Sequence, residues 1–171
     1  NATSHASLFL TSKTIADDLA PDTVVVIGRT TLSRSINAFI KMARKQIVID
    51  PRMATVDTDR MADQKFTQLP AVEVQSADAE FAEKWKKYSL RASKLVSDIS
   101  TWSEQLVARE IAAGVPTGTA LFISSSRPIR DLEGFAVART GVETFANRGL
   151  AGIDGNISTA LGIASQRKET I

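Results

Sequence analysis

Two short β-branched runs, Val24-Val25-Val26-Ile27 and Ile47-Val48-Ile49, constrain the fold more than anything else in these 171 residues. Each is too short for a buried helix and is bounded by turn residues, so both read as buried parallel strands. Between them Leu32, Ile36, Phe39, Ile40 and Met42 recur at near-helical spacing after Thr30-Thr31, which predicts strand, helix, strand: a βαβ unit. Upstream, Ile15 to Leu19 reads as one more helix, with Thr11 or Ser12 available as its cap. No strand precedes Val24 to pair with it, which suggests a sheet whose beginning lies outside the chain. A chain of this length with 43% hydrophobic residues suffices for a packed core.

From Pro51 to Pro70 the pattern dissolves into a polar loop, and Ala71 to Val74 suggests a short strand closing the same sheet. Asp78 can cap a helix over about 79–99, with Phe81, Trp85, Tyr88 and Leu95 as apolar contacts. Ser100 or Thr101 can start a second helix through Leu106, Val107 and Ile111, stopped by Gly114 and Pro116. A change of unit is expected between Ala77 and Ser89. The new series runs through a strand at Thr119 to Ile123, a serine-rich turn, a helix around Ile129 to Ala138, a strand at Glu143 to Ala146, a glycine-rich segment and a buried helix from Ile157 to Ser165. After it, at Arg167 to Ile171, a parallel pattern next requires a strand. Both halves are α/β.

Composition removes whole classes of chemistry. The chain has no cysteine, so disulfides, thiolate metal sites and cysteine nucleophiles are out. Its single histidine, His5, lacks the company a triad or zinc site needs. A net charge of +2 without a like-charge block argues against nucleic acid. Arg29, Arg34, Lys41, Arg44, Lys45 and Arg52 do crowd one stretch, which suits either an anionic ligand or a solvated helix face. Neither a spanning helix nor a signal peptide is indicated, and a cytoplasmic protein is the default.

In open parallel sheets ligands sit at the carboxyl ends of strands, and two loops qualify. The first is Ser124-Ser125-Ser126-Arg127-Pro128-Ile129-Arg130-Asp131, where hydroxyls precede an arginine able to clamp a carboxylate or phosphate. A serine N-cap followed by Pro128 in the first turn explains the same residues without a ligand. The second loop, Asn147 to Gly155, has glycines at 149, 152 and 155, and Arg148 at its entrance. Glycine permits close backbone approach to an anion at the start of a helix. Its spacing is neither the dinucleotide fingerprint nor a Walker loop, and a structural turn explains it as well as a binding loop does.

Read as a string, Asn-Arg-Gly-x-x-Gly-Ile-Asp-Gly followed by Ser158-Thr159-Ala160 and Gly162 resembles the diphosphate-domain segment of SEPHCHC synthases (2-succinyl-5-enolpyruvyl-6-hydroxy-3-cyclohexene-1-carboxylate synthases). Ser-Ser-Arg-Pro-Ile-Arg-Asp resembles their strand-end motif, and Val-Ile-Gly-Arg-x-Thr-Leu-x-Arg their central domain. The similarity runs from about Thr23 onward, with little contributed by the stretch from Pro51 to Ser100.

The resemblance implies an internal fragment of a thiamine-diphosphate- and Mg²⁺-dependent transferase of menaquinone biosynthesis. That enzyme decarboxylates 2-oxoglutarate and adds the resulting succinyl-semialdehyde carbanion to isochorismate. The fragment would hold an incomplete Rossmann-like central domain (1–77), a linking helix (78–100) and the start of a thiamine-diphosphate-binding parallel α/β domain (101–171). The parent would be a homodimer or homotetramer. The activating glutamate and the metal ligands would lie outside the chain, so no catalytic or metal-binding residue is expected within it, and the 171 residues alone are expected to be inactive. By the same resemblance Ser126, Arg130, Arg148 and Arg34 are expected to bind substrate. Ser125, Gly149 and Gly152 are expected beside the cofactor, with Ile153 under its thiazolium ring. Ser125 stands where many members have asparagine, and Asn156 where threonine is usual. The competing reading is a self-contained, non-catalytic α/β module for an anionic nucleotide or metabolite.

Overall fold

The structure, a computed structural model, describes residues 3–30, 33–52, 61–71, 78–147, 154–167 and 170–171. It divides into two compact units, the first essentially Ala6–Leu90 and the second Ala2–His5 with Arg91–Ile171.

In the first unit, helices α1 (Ala6–Phe9) and α2 (Lys13–Asp18) precede strand β1 (Thr23–Ile27), helix α3 (Arg34–Ile40), strand β2 (Lys45–Ile49) and strand β3 (Gln64–Phe66). All three strands are parallel in the order β1-β2-β3, with Val25 opposite Ile47 and Ile49 opposite Phe66. The expected βαβ unit is therefore present. Ser12 occupies the N-cap position of α2 without a side-chain capping bond, whereas Ser33 caps α3 by accepting from the Ile36 amide at 3.3 Å.

Two expectations need correction. The polar stretch from Pro51 to Pro70 contains β3, because the free edge of β2 needs backbone partners that a polar segment satisfies as well as an apolar one. Asp63 N donates to Gln46 O at 2.8 Å, Gln46 N donates to the Asp63 carboxylate at 2.7 Å, and Asp50 N donates to Phe66 O at 3.0 Å. Most of the expected strand at Ala71 to Val74 lies outside the described residues. Strand β1 is not buried on both faces either, since Val25 and Ile27 are exposed.

Asp78 starts helix α4 (Ala79–Ser97) as expected, its carboxylate accepting from the amides of Glu80 and Phe81 at 2.9 and 3.4 Å. Trp85 on this helix gathers Phe9, Phe39 and Phe81 edge-on, with ring centroids 5.5–6.3 Å apart. Lys84 and Tyr88 donate to the two oxygens of Asp18, each at 3.0 Å. A carboxylate at a helix C-terminus opposes the helix dipole. Here the Lys84 bond, helped by Tyr88, holds it ionised and its carboxyl below the usual carboxylate range. Leu95, an expected apolar contact, is exposed, while Ala92 and Val96 are buried instead.

The second unit contains the end of α4, helix α5 (Glu104–Gly114), strand β4 (Ala120–Ile123), helix α6 (Arg127–Phe135), strand β5 (Glu143–Ala146) and helix α7 (Asn156–Ala164). Helix α5 is capped by Ser103, which accepts from Leu106 N at 3.3 Å, rather than by Ser100 or Thr101. Arg109 on α5 donates to the carbonyls of Val96, Ser97 and Ile99 at 2.7–3.0 Å, satisfying acceptors that the end of α4 leaves open. Strands β4 and β5 pair in parallel with Ile123 opposite Ala146. On the other edge of β4, Ile171 N donates to Ala120 O and Phe122 N donates to Ile171 O, both at 2.9 Å. Thr170 forms an isolated parallel bridge to Ala120.

Val115, Leu121 and Ile123 form the core of this unit, with Ile129, Leu132, Val142 and Ala146 against them. His5 is buried, and its Nδ1 lies 2.8 Å from the Gly134 carbonyl. The aliphatic spacing of α7 predicts a buried helix, yet Ile157 and Leu161 are exposed and none of its residues is buried. Arg167 beyond it donates to Glu143 at 2.7 Å and lies over the Phe145 ring, 5.7 Å from its centroid.

Gly141 precedes β5 at φ +81°, and its carbonyl accepts from Gly118 N at 2.7 Å. A Cβ there would lie 2.6 Å from Thr117 Cγ2. Gly141→Ala combines a disfavoured φ with a collision, so it is expected to destabilise the chain by about 1–3 kcal/mol. A urea unfolding midpoint equal to that of the wild type would contradict this.

Candidate functional site

Strand β4 delivers the serine loop directly. Ser125 is buried at 4% exposure, and among the described residues its Oγ has no hydrogen-bond partner. An unpaired buried hydroxyl is costly unless something else supplies the partner. Ser126 follows at φ 75° and ψ −122°, a region that favours glycine and costs a side-chain-bearing residue roughly 1–3 kcal/mol. It occupies the N-cap position of α6, but its side chain makes no capping bond. The cap reading accounts for the position of Ser126 and leaves its hydroxyl unexplained.

The two arginines of the loop have different fates. Arg127 Nε lies 3.0 and 2.9 Å from the two oxygens of buried Asp131, and that hydrogen-bonded pairing raises the already high pKa of its guanidinium. Arg130 is exposed and has no ion pair to any described residue. Arg127 therefore anchors the helix, while Arg130 stays exposed.

The second loop meets the first through side chains. Asn147 Nδ2 donates to Asn156 Oδ1 at 3.1 Å, and Asn156 Nδ2 donates to Ser124 Oγ at 3.1 Å. Gly155, at φ +79°, opens α7. Arg148, Gly149, Gly152 and Ile153 lie outside the described residues. Ser125, Ser126 and Arg130 thus share one strand end. Arg34 is the first residue of α3 in the other unit and is exposed.

A cavity of about 710 Å³ lies between α5, β4 and α6, walled by Trp102, Val107, Leu121, Phe122 and Leu132. Among the described residues its one cation is Arg127, already engaged by Asp131, so it offers a dianionic ligand little.

The first unit holds a strand-end feature that sequence reasoning missed. Asp50 follows β2 with its side chain 2% exposed, and Arg52 donates to it from N, Nε and Nη2 at 2.6, 3.0 and 2.8 Å. Gly28, at φ +78°, ends β1 beside it. An acid directly after an apolar strand, some twenty residues past a glycine turn, is the available signal. The Arg52 side chain, then its backbone amide and the charge of Arg29, hold the Asp50 carboxyl below the usual carboxylate range.

A carboxyl with a lowered folded-state pKa stabilises the fold fully above its unfolded value, near 3.8. That contribution disappears as the pH falls through the folded-state value. Asp50→Asn is therefore expected to lower the urea midpoint at pH 7, with the gap narrowing by pH 3. An equal gap at both pH values would contradict the pairing.

The fold defines an open parallel α/β protein in which the serine loop leaves the carboxyl end of β4. Among the described residues no helix is long and apolar enough to cross a membrane. No protein-family model matches the chain. Curated relatives do, among them three bacterial proteins that each bear the name 2-succinyl-5-enolpyruvyl-6-hydroxy-3-cyclohexene-1-carboxylate synthase. The Thermobifida fusca protein is 35% identical over 148 residues, covering 84% of this chain and 27% of its own length. The Bacillus cytotoxicus protein is 28% identical over 171 residues, covering 92% and 29%. The Myxococcus xanthus protein reaches 55% identity over 64 residues, covering 37% and 11%. The chain belongs to the SEPHCHC synthase family. It spans under a third of the length of these relatives.

Proposed function

We propose that these residues form part of a thiamine-diphosphate- and Mg²⁺-dependent transferase of menaquinone biosynthesis that decarboxylates 2-oxoglutarate, releasing CO2, and joins the remaining succinyl-semialdehyde unit to isochorismate. The observation that carries this reading is the division of labour at the end of β4: Arg127 is consumed by Asp131, whereas among the described residues exposed Arg130 has no ion pair and the Ser125 hydroxyl, next to a strained Ser126, has no partner. That donor set fits anionic groups, and both substrates bring carboxylates while the cofactor brings a diphosphate.

In this reading Arg130, Arg148 and Ser126 hold substrate carboxylates, with Arg34 supplying a further basic contact. Ser125 donates toward the cofactor, Gly149 and Gly152 allow it close approach, and Ile153 packs beneath its thiazolium. When bound, the cofactor supplies the carbon–carbon bond chemistry. The protein's share is to orient two dianions and neutralise their charge, which lowers the barrier by removing the cost of bringing them together. Residues 1–77 are assigned to the central Rossmann-like domain, 78–100 to the linking helix and 101–171 to the diphosphate domain of a cytoplasmic homodimer or homotetramer. A self-contained nucleotide module fits less well, because Asp50, the acid placed to take a ribose hydroxyl, is already held by Arg52.

In the full-length protein Arg130→Ala and Arg148→Ala are each expected to lower kcat/KM tenfold or more. Losing one charge-assisted contact costs about 1.5–3 kcal/mol. Near-wild-type kinetics in both variants would remove the assignment. The 171 residues alone are expected to give no product with 2-oxoglutarate and isochorismate, and turnover by them would contradict the domain assignment.

A further inference from the structure

Strands β4 and β5 end in register, Ile123 opposite Ala146, so the next rung of the ladder is Ser124 opposite Asn147. These two residues are the first of the two loops that leave the strand ends. At that rung a side chain reaches both of them. Asn156, the first residue of α7, accepts from Asn147 Nδ2 through its Oδ1 and donates to Ser124 Oγ through its Nδ2, each at 3.1 Å. Both ends of one planar amide are used, and all three side chains are partly buried, where competing water is reduced.

We propose that Asn156 is a positioning residue that holds the serine loop and the entrance of the glycine segment in fixed register. The role rests on the function proposed above. Fixing Ser124 sets where the chain turns into Ser125 and Ser126, and fixing Asn147 sets where it leaves β5 immediately before Arg148. An asparagine suits this place because its amide is both donor and acceptor on a short, stiff stem. Alanine has neither function. Threonine, with one hydroxyl that donates and accepts, retains part of the link.

The test is a mutant cycle in the full-length enzyme, assayed with 2-oxoglutarate and isochorismate at saturating thiamine diphosphate and Mg²⁺. Asn156→Ala and Asn147→Ala are each expected to lower kcat/KM about tenfold. The double variant should be no worse than Asn156→Ala alone, because that change already removes the bond to Asn147. Asn156→Thr is expected to recover at least a third of the wild-type value, and the cooperative thermal transition should persist in every variant. A merely structural role would lower the transition temperature and leave kcat/KM of the folded enzyme unchanged. Should Asn156→Ala fail to fold, Ser124→Ala removes one arm of the link and is expected to cost at least threefold.

Wild-type-like kcat/KM in the folded variants, or losses that multiply in the double variant, would overturn the positioning role while leaving the carboligase reading intact. A wild-type enzyme without carboligase activity would instead overturn the function itself.

Discussion

Strand β4 has both edges occupied, by β5 on one side and by Thr170 and Ile171 on the other. With hydrogen bonds on both edges and Leu121 and Ile123 in the core, the strand cannot shift register without turning buried side chains outward. Its end is therefore a fixed point, and Ser124 to Arg130 leave that point in one direction. What the loop presents follows from this: a buried hydroxyl at Ser125, a strained backbone at Ser126, and two arginines of which Asp131 claims the nearer.

The competition between those arginines decides the electrostatics of the site. A buried carboxylate needs a partner, because desolvation without one is costly. Arg127 meets that need one helical turn before Asp131 and becomes part of the framework. Among the described residues the loop then presents one guanidinium without an ion pair, that of Arg130, in place of a diffuse basic patch. In the other unit Arg52 does for Asp50 what Arg127 does for Asp131, and there the arginine closes a strand end. The same pair of residue types thus builds a frame in both places.

Much of the frame was legible in the residues. The β-branched runs gave β1 and β2, Asp78 announced α4, and Glu143 to Ala146 form a strand as expected. What escaped was created by tertiary partners. Gln64-Lys65-Phe66 has no strand pattern of its own and becomes β3 because β2 has an open edge. Of the hydroxyls before α5, Ser103 caps because the helix starts at Glu104, and three nearby hydroxyls, Ser100, Thr101 and Ser103, offer the same capping chemistry. The aliphatic residues of α7 announce a face suited to burial, but not whether anything covers it. At the site the motif residues stood out, while the choice between Arg127 and Arg130 did not, since it depends on which arginine reaches Asp131. The Ser124–Asn156 bond joins residues 32 positions apart and has no local signature.

If the end of β4 carries an anion-binding site, Arg130 and Ser125 are the groups that meet the ligand. A crystal structure of the full-length protein with thiamine diphosphate and a dicarboxylate substrate analogue tests this most directly. The Arg130 guanidinium is expected within hydrogen-bond distance of a ligand carboxylate, with Ser125 Oγ donating to the bound cofactor or analogue. A structure with both ligands bound elsewhere, Arg130 in solvent and Ser125 still unpaired would contradict it.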